Sequence, residues 1–204
     1  MQSTANATST SKAQATRQRL LDAAVSSLIE CGVSRTTTLE VQRRSGASRG
    51  ALLHHFPTHA ALLSATIAEL VRRNDEAVRQ AESTMAHVTS PVERAIRTLT
   101  TMSVQPAYLA ELELWGAART DSDLQEAVRR AERDARMERE RVVDSLFAPV
   151  LDNPNYPAVK ALSIAFLRGM SLSSVLVSNP EHSQKLVSQW VWAAEMLLLA
   201  SPQS

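Results

Sequence analysis

Gly46 and Pro57 stand eleven residues apart, and between them there is room for a helix of only about two turns. Ser48 is suited to N-cap that helix, Arg49 to about His55 to form it, and Pro57 to stop it, since proline has no N–H and restricts the residue before it. Upstream, Thr37 followed by Glu40 has capping-box spacing, in which the hydroxyl and the carboxylate each take up an orphaned backbone N–H. A second short helix is therefore predicted from the run Thr36, Thr37, Thr38 to near Ser45 and Gly46. Before it, an amphipathic helix is predicted from Lys12, with Leu20, Leu21, Ala24, Val25, Leu28 and Ile29 at helical spacing and Gly32 as its C-terminal cap. Two short helices joined by a tight turn behind a longer one have helix-turn-helix punctuation, although any helical bundle also contains short capped helices.

The rest of the chain continues in the same idiom. Thr58 is suited to cap a fourth helix running to about Met85, in which Leu62, Leu63, Thr66, Ile67, Leu70 and Val71 repeat the helical spacing. Pro91, Pro106, Asp121, Pro154 or Pro157, and Pro180 mark further starts, so nine helices and an all-α fold are expected. Only five glycines and few aromatics occur, which also favours helix over sheet. The seventh helix, 122–147, is crowded with Arg and Glu and reads as a solvated face with no chemistry assigned; the last two, 158–177 and 181–199, are the most apolar. The expected organisation is a floppy tail over 1–11, a helix-turn-helix domain over 12–58 and a helical bundle over 59–204, with no flexible linker.

Residues 1–60 carry seven Lys and Arg against three Asp and Glu, while 61–204 carry fifteen against eighteen, a modest asymmetry of the sign expected for a nucleic-acid-binding front. Cys31 is the single cysteine, so neither an internal disulfide nor a cysteine-based zinc site can form within one chain; it reads as a small buried hydrophobe. The N-terminal segment has no apolar stretch and the run 196–200 is far short of the ~20 residues that span a bilayer, so a soluble, cytoplasmic protein without membrane contact is expected.

The stretch from Gly32 to Leu63, above all Ser48-Arg49-Gly50-Ala51-Leu52-Leu53-His54-His55-Phe56-Pro57 followed by Ala61-Leu62-Leu63, resembles without gaps the DNA-binding domain of the tetracycline-repressor (TetR) family. The resemblance covers about fifty residues and implies a homodimeric repressor whose recognition helix lies at Ser48 to His55, with C-terminal helices forming an effector pocket and a dimer interface. Thr37 and Ser48 would then place capped helix ends at phosphates. Arg49 would read a guanine edge, or else touch phosphate. Gly50 would let the backbone approach DNA closely, or relieve crowding between helices. His54 would face the DNA backbone, while His55 and Phe56 would pack toward the first and fourth helices. Arg43 and Arg44 would add phosphate contacts, or merely solubilise their helix. Three positions depart from the family pattern: Leu53 stands where Tyr is usual, removing a hydroxyl contact to phosphate; His59 replaces Lys, which weakens a phosphate contact and makes it pH-sensitive; and Gln42 replaces a small Ala.

The implied four-helix dimer interface is expected to use Phe166, Gly169, Ser173, Val187, Trp190, Val191, Ala194 and Leu198, with packing inside one chain as the alternative. Met102, Leu112, Trp115, Phe147, Phe166 and Met170 are candidates for lining a pocket for a small, largely apolar effector, with Arg119 or Glu113 as polar anchor, although periodicity does not separate pocket from core. The partners expected are an inverted-repeat operator duplex, an effector of unknown identity and a second copy of the chain; the alternative is a helical interaction or ligand-binding module without DNA. No enzyme is expected, because no reactive constellation or phosphate-binding glycine loop is found. No cofactor is called for. No metal site is expected either, since Pro57 separates His54 and His55 from His59 and no carboxylate lies nearby.

Overall fold

The computed structural model describes residues 2–85, 87–176 and 179–201, with side chains from Lys12 onward; among them the regular elements are all helical. They are α1 (Gln2–Cys31), α2 (Thr38–Ser45), α3 (Arg49–His55), α4 (His59–Thr84), α5 (Pro91–Ser103), α6 (Pro106–Ala118), α7 (Ser122–Leu146), α8 (Tyr156–Ser174) and α9 (Pro180–Leu199), with 3-10 turns at Val33–Arg35 and Ala148–Val150. The starts sit where local chemistry sets them. Thr37, Ser48, Thr58, Ser90 and Asn179 each accept a backbone N–H from three residues on, which satisfies one of the donors a helix start leaves open. Two expectations differ. α1 begins at Gln2, so ten residues precede the predicted start at Lys12; extending a helix already nucleated by its packed turns adds one hydrogen bond for each residue fixed. α8 begins at Tyr156, with Pro157 in its first turn, and ends at Ser174; Val177, its predicted last residue, lies outside the described residues.

The chain divides into two compact units, Met1–Arg72 with Glu113–Ala135, and Arg73–Leu112 with Arg136–Ser204. The divisions fall within α4, α6 and α7. In the first unit, α1 packs on α2 and α3 around Leu20, Leu21, Ala24, Val41, Ala47, Leu52, Phe56 and Leu62. All six predicted apolar positions of α4 are buried, as are those of α1 except the half-buried Ile29.

In the second unit α5 packs against α8 and α9, and α8 against α9. The core there comprises Val92, Ile96, Val143, Leu146, Phe147, Tyr156, Val159, Val187, Val191 and Ala194 among others. Several of the residues expected at an interface or a pocket take part in this core. Val187, Val191 and Ala194 are buried within the single chain and so are not available to a partner; Phe166, Trp190 and Leu198 pack onto the same core, leaving only Gly169 and Ser173 of the predicted interface set exposed. Phe147 is fully buried beside Tyr156, and Phe166 stacks on Trp190 with ring centroids 5.8 Å apart; both side chains, with Met170, belong to or pack against this core. Leu162 and Leu172 on α8, Leu176 in the turn that follows it, and Trp192, Met196 and Leu199 on α9 are instead exposed. The two helices are apolar on most of their circumference, and periodicity alone does not say which stripe turns inward. Among the described residues, no helix is long and apolar enough to cross a membrane.

Candidate nucleic-acid interface

The turn between α2 and α3 is built from short-range bonds. Gly46 adopts a left-handed conformation (φ 65°) that ends α2, and its N–H donates to Gln42 O at 3.1 Å. Ser45 Oγ donates to the same carbonyl at 3.2 Å and accepts from Ala47 N at 3.3 Å. Ala47 is buried, and Ser48 then starts α3 by accepting from Ala51 N at 3.1 Å. Leu52 and Phe56 face the core, where the Arg17 guanidinium lies 5.4 Å from the centre of the Phe56 ring. The opposite side of α3, Arg49, Gly50, Leu53 and His54, is exposed. Among the described residues the exposed Arg49 guanidinium has no hydrogen-bond or ion-pair partner, and a Cβ built on Gly50 would meet nothing within 4 Å, so helix crowding does not account for that glycine. His54 packs edge-on to His55, which is half-buried; burial, with the neighbouring His54 and Arg17, holds the His55 imidazole below its ordinary range.

The arginines of α2 are engaged elsewhere. Arg43 forks onto Glu40, with Nε to Oε2 at 2.8 Å and Nη2 to Oε1 at 2.7 Å. Arg44 donates to Glu40 (2.6 Å), to Glu30 on α1 (2.7 Å) and to Cys31 Sγ (3.2 Å). These guanidinium bonds, Arg43's first, lower the Glu40 carboxyl to about 2. Glu40 is thus spent on arginines and Thr37 supplies the cap alone; the capping box is half-made. Cys31, expected to be buried, is half-buried and accepts from Arg44. His59 does not project freely either: its Nε2 donates to the Thr36 carbonyl at 2.9 Å, tying the start of α4 to the α1–α2 corner. Thr36 itself folds back, its hydroxyl donating to Gly32 O at 2.9 Å.

That corner has a further tie. Glu113 on α6 accepts from Val33 N at 2.9 Å, and its carboxylate presses so closely on Gly32 (φ 78°) that a Cβ there would lie 2.6 Å from Oε1. Glu113 is therefore engaged as a structural acceptor rather than standing open as a polar anchor for an effector. Arg119 is exposed, Leu112 is buried, and Trp115 and Met102 are half-buried. Trp115 and Arg119 belong to the first unit and the other five predicted lining residues to the second. A hollow in the second unit, about 170 Å³ between α5 and α9, is lined by Arg97, Thr100, Thr101, Ser183, Gln184 and Val187 with Met85, and shares no residue with the predicted set.

Sequence reasoning missed a buried polar cluster in the second unit. Asn74 Nδ2 donates to Glu111 Oε2 at 2.6 Å, Arg139 Nη2 to Glu111 Oε1 at 2.9 Å, and Arg139 Nε lies 3.6 Å from Asp75 Oδ1. Burial pushes the Asp75 carboxyl up, with Arg139 opposing. The available signal was Asn74-Asp75 arriving one turn after Leu70-Val71, on the face that α4 turns inward. Among the described residues, no three His, Cys, Asp or Glu side chains converge as a metal site.

The comparisons with known proteins agree with this geometry. The model of the family described as bacterial regulatory proteins, tetR family, matches residues 20–66, which span most of α1, all of α2 and α3 and the first turns of α4. An HTH-type transcriptional regulator of Mycobacterium tuberculosis is 31% identical over 110 residues, 54% of this chain and 56% of that protein. The HTH-type transcriptional regulator TtgR of Pseudomonas putida is 35% identical over 72 residues, 35% of this chain and 34% of its own length. The chain thus spans little more than half the length of the first of these relatives and about a third of the second. Among solved structures, a putative TetR-family transcriptional regulator from Rhodococcus sp. superposes with a TM-score of 0.64 at 19% identity, covering 90% of this chain and 98% of that one. The multidrug binding protein EbrR complexed with ethidium gives 0.59 at 21% identity, covering 86% and 97%. At such identities the structures speak to the fold. Residues 20–66 are thus similar to the helix-turn-helix segment of the bacterial regulatory proteins of the tetR family, and the chain shares its helical fold with solved regulators of that kind.

Proposed function

We propose that this chain is a cytoplasmic, sequence-specific DNA-binding regulator, a homodimeric repressor released from an inverted-repeat operator by a small, largely apolar ligand. The observation that carries the reading is the solvent face of α3: Arg49, Gly50, Leu53 and His54 stand exposed on a two-turn helix held from behind by Leu52 and Phe56. A helix presented this way suits the major groove, and an unpaired guanidinium at its start suits a guanine edge. The proposed phosphate contacts come from the capped starts at Thr37 and Ser48, from His54 and from Arg43, an exposed guanidinium paired with Glu40 of its own helix. Arg44 and His59, both already bonded inside the fold, are given supporting roles.

The exposed stripes of α8 and α9, rather than the buried positions of α9, are the proposed dimer surface, with Trp192, Met196 and Leu199 opposite Leu162, Leu172 and Leu176 of a second copy. Ligand response is supported by neighbours such as EbrR, whose structure holds ethidium. The ligand would act by population shift, favouring a dimer whose two α3 helices mismatch successive grooves. Selection of bound duplexes from a random pool tests the core of the reading. A recovered palindrome, bound with an affinity that falls steeply with salt, is the expected result; binding without sequence preference sinks it.

A further inference from the structure

The solvent face of α3 carries an apolar group among its polar ones. In the first unit, the large hydrophobic side chains left exposed among the described residues are Leu39, at 74%, and Leu53, at 43%. An isolated exposed leucine is ordinary on a protein surface, and Leu39 carries nothing further. Leu53 differs in its surroundings. It lies one helical turn from both Arg49 and Gly50 and is exposed where Leu52 and Phe56 are buried. Gly50 has no positive φ and open space where its side chain would be, so nothing inside the chain calls for the poorest helix former after proline. The missing side chain leaves a notch beside Leu53.

Resting on the DNA-binding reading of α3, we infer that Leu53 is a base-reading residue whose side chain meets the C5-methyl group of a thymine in the major groove. The notch at Gly50 admits the base edges, and Arg49 takes the guanine one turn away. Thymine is the only base that offers an apolar group on its major-groove edge; guanine, adenine and cytosine offer donors and acceptors there. Leucine has neither donor nor acceptor, so it would strip water from those polar edges without replacing the lost hydrogen bonds. The same side chain therefore selects thymine and rejects the other bases. Four residues of helix rise about 6 Å and base pairs repeat every ~3.4 Å, which places the thymine about one or two base pairs from the guanine.

The test uses the duplex recovered by selection and the full-length protein. Each thymine of a half-site is replaced in turn by deoxyuridine, which deletes the methyl group and keeps the hydrogen-bonding edge, and affinity is read by fluorescence anisotropy. One thymine per half-site should respond, its replacement weakening binding about fourfold. Leu53→Ala should bind the thymine and uridine duplexes alike. If no replacement changes affinity, or if Leu53→Ala retains the full methyl dependence, the assignment is overturned while DNA binding by α3 stands; if selection recovers no preferred duplex, both fall. A scan without any response overturns the assignment on the unaltered protein alone, whatever the variant's folding, and a response is assigned to Leu53 by its loss in Leu53→Ala.

Discussion

Arg44 reaches Glu30, Glu40 and Cys31 together, joining the end of α1 to α2, whereas Arg49 five residues later stands exposed on α3. The two arginines should therefore fail differently when removed. Arg44→Ala is expected to lower the melting temperature of the protein, with Arg44→Lys recovering only part, because one ammonium lacks the planar fork that serves several acceptors. Arg49→Ala should melt as the unaltered protein does but lose preference at one operator position, by roughly 1–3 kcal/mol of discrimination in a competition assay across base substitutions. Equal loss on every sequence would show that Arg49 touches only phosphate. Glu40 adds a pH dependence. Its carboxyl lies at about 2 when folded against an ordinary 4.5, so the ion pairs stabilise in full above about pH 4.5 and fade as pH falls toward 2. Acid titration of helical content should show a less steep loss in Glu40→Gln over that window. Half of this was legible in the sequence. Glu40 stands three and four residues before Arg43 and Arg44, a spacing that announces helical pairs. The reach of Arg44 to Glu30 was hidden, because it crosses between helices and depends on how α2 docks on α1.

At the scale of elements, the helix starts could be read because their chemistry is local: a serine or threonine hydroxyl and an N–H three residues on are neighbours in any helix that begins there. What could not be read is which long-range contact a corner would accept. Gly32 and Gly46 both end helices with positive φ, at 78° and 65°, yet only Gly32 is closed in, by Glu113 from α6. Gly46→Ala should therefore cost the backbone term alone, about 1–2 kcal/mol by denaturant unfolding. Gly32→Ala should cost more, and combining it with Glu113→Ala should bring the penalty back toward that of Gly46→Ala. Equal costs for the two single variants would show that the carboxylate simply swings aside. The faces of α8 and α9 were illegible for another reason. With apolar residues on nearly every side, the pattern marks burial without saying whether Val191 or Trp192 turns inward.

For the molecule and its assembly, the distinction between those two neighbours separates stability from association. Trp192→Glu should leave helical content and melting cooperativity intact while shifting the protein to monomer in analytical ultracentrifugation; a variant that stays dimeric would place the interface elsewhere. Phe147→Ala, by contrast, empties the centre of the second unit's core and should cost about 3–5 kcal/mol regardless of protein concentration. The two tryptophans of α9 also occupy unlike environments: the Trp190 indole donates to Ser163 Oγ at 3.0 Å and stacks on Phe166, while Trp192 is 65% exposed. Light absorbed by this helix is thus emitted from one shielded and one open ring. Acrylamide should quench the open ring first; under the dimer proposed above, dilution through its dissociation range should raise that quenching, giving an optical gauge of self-association without an added dye.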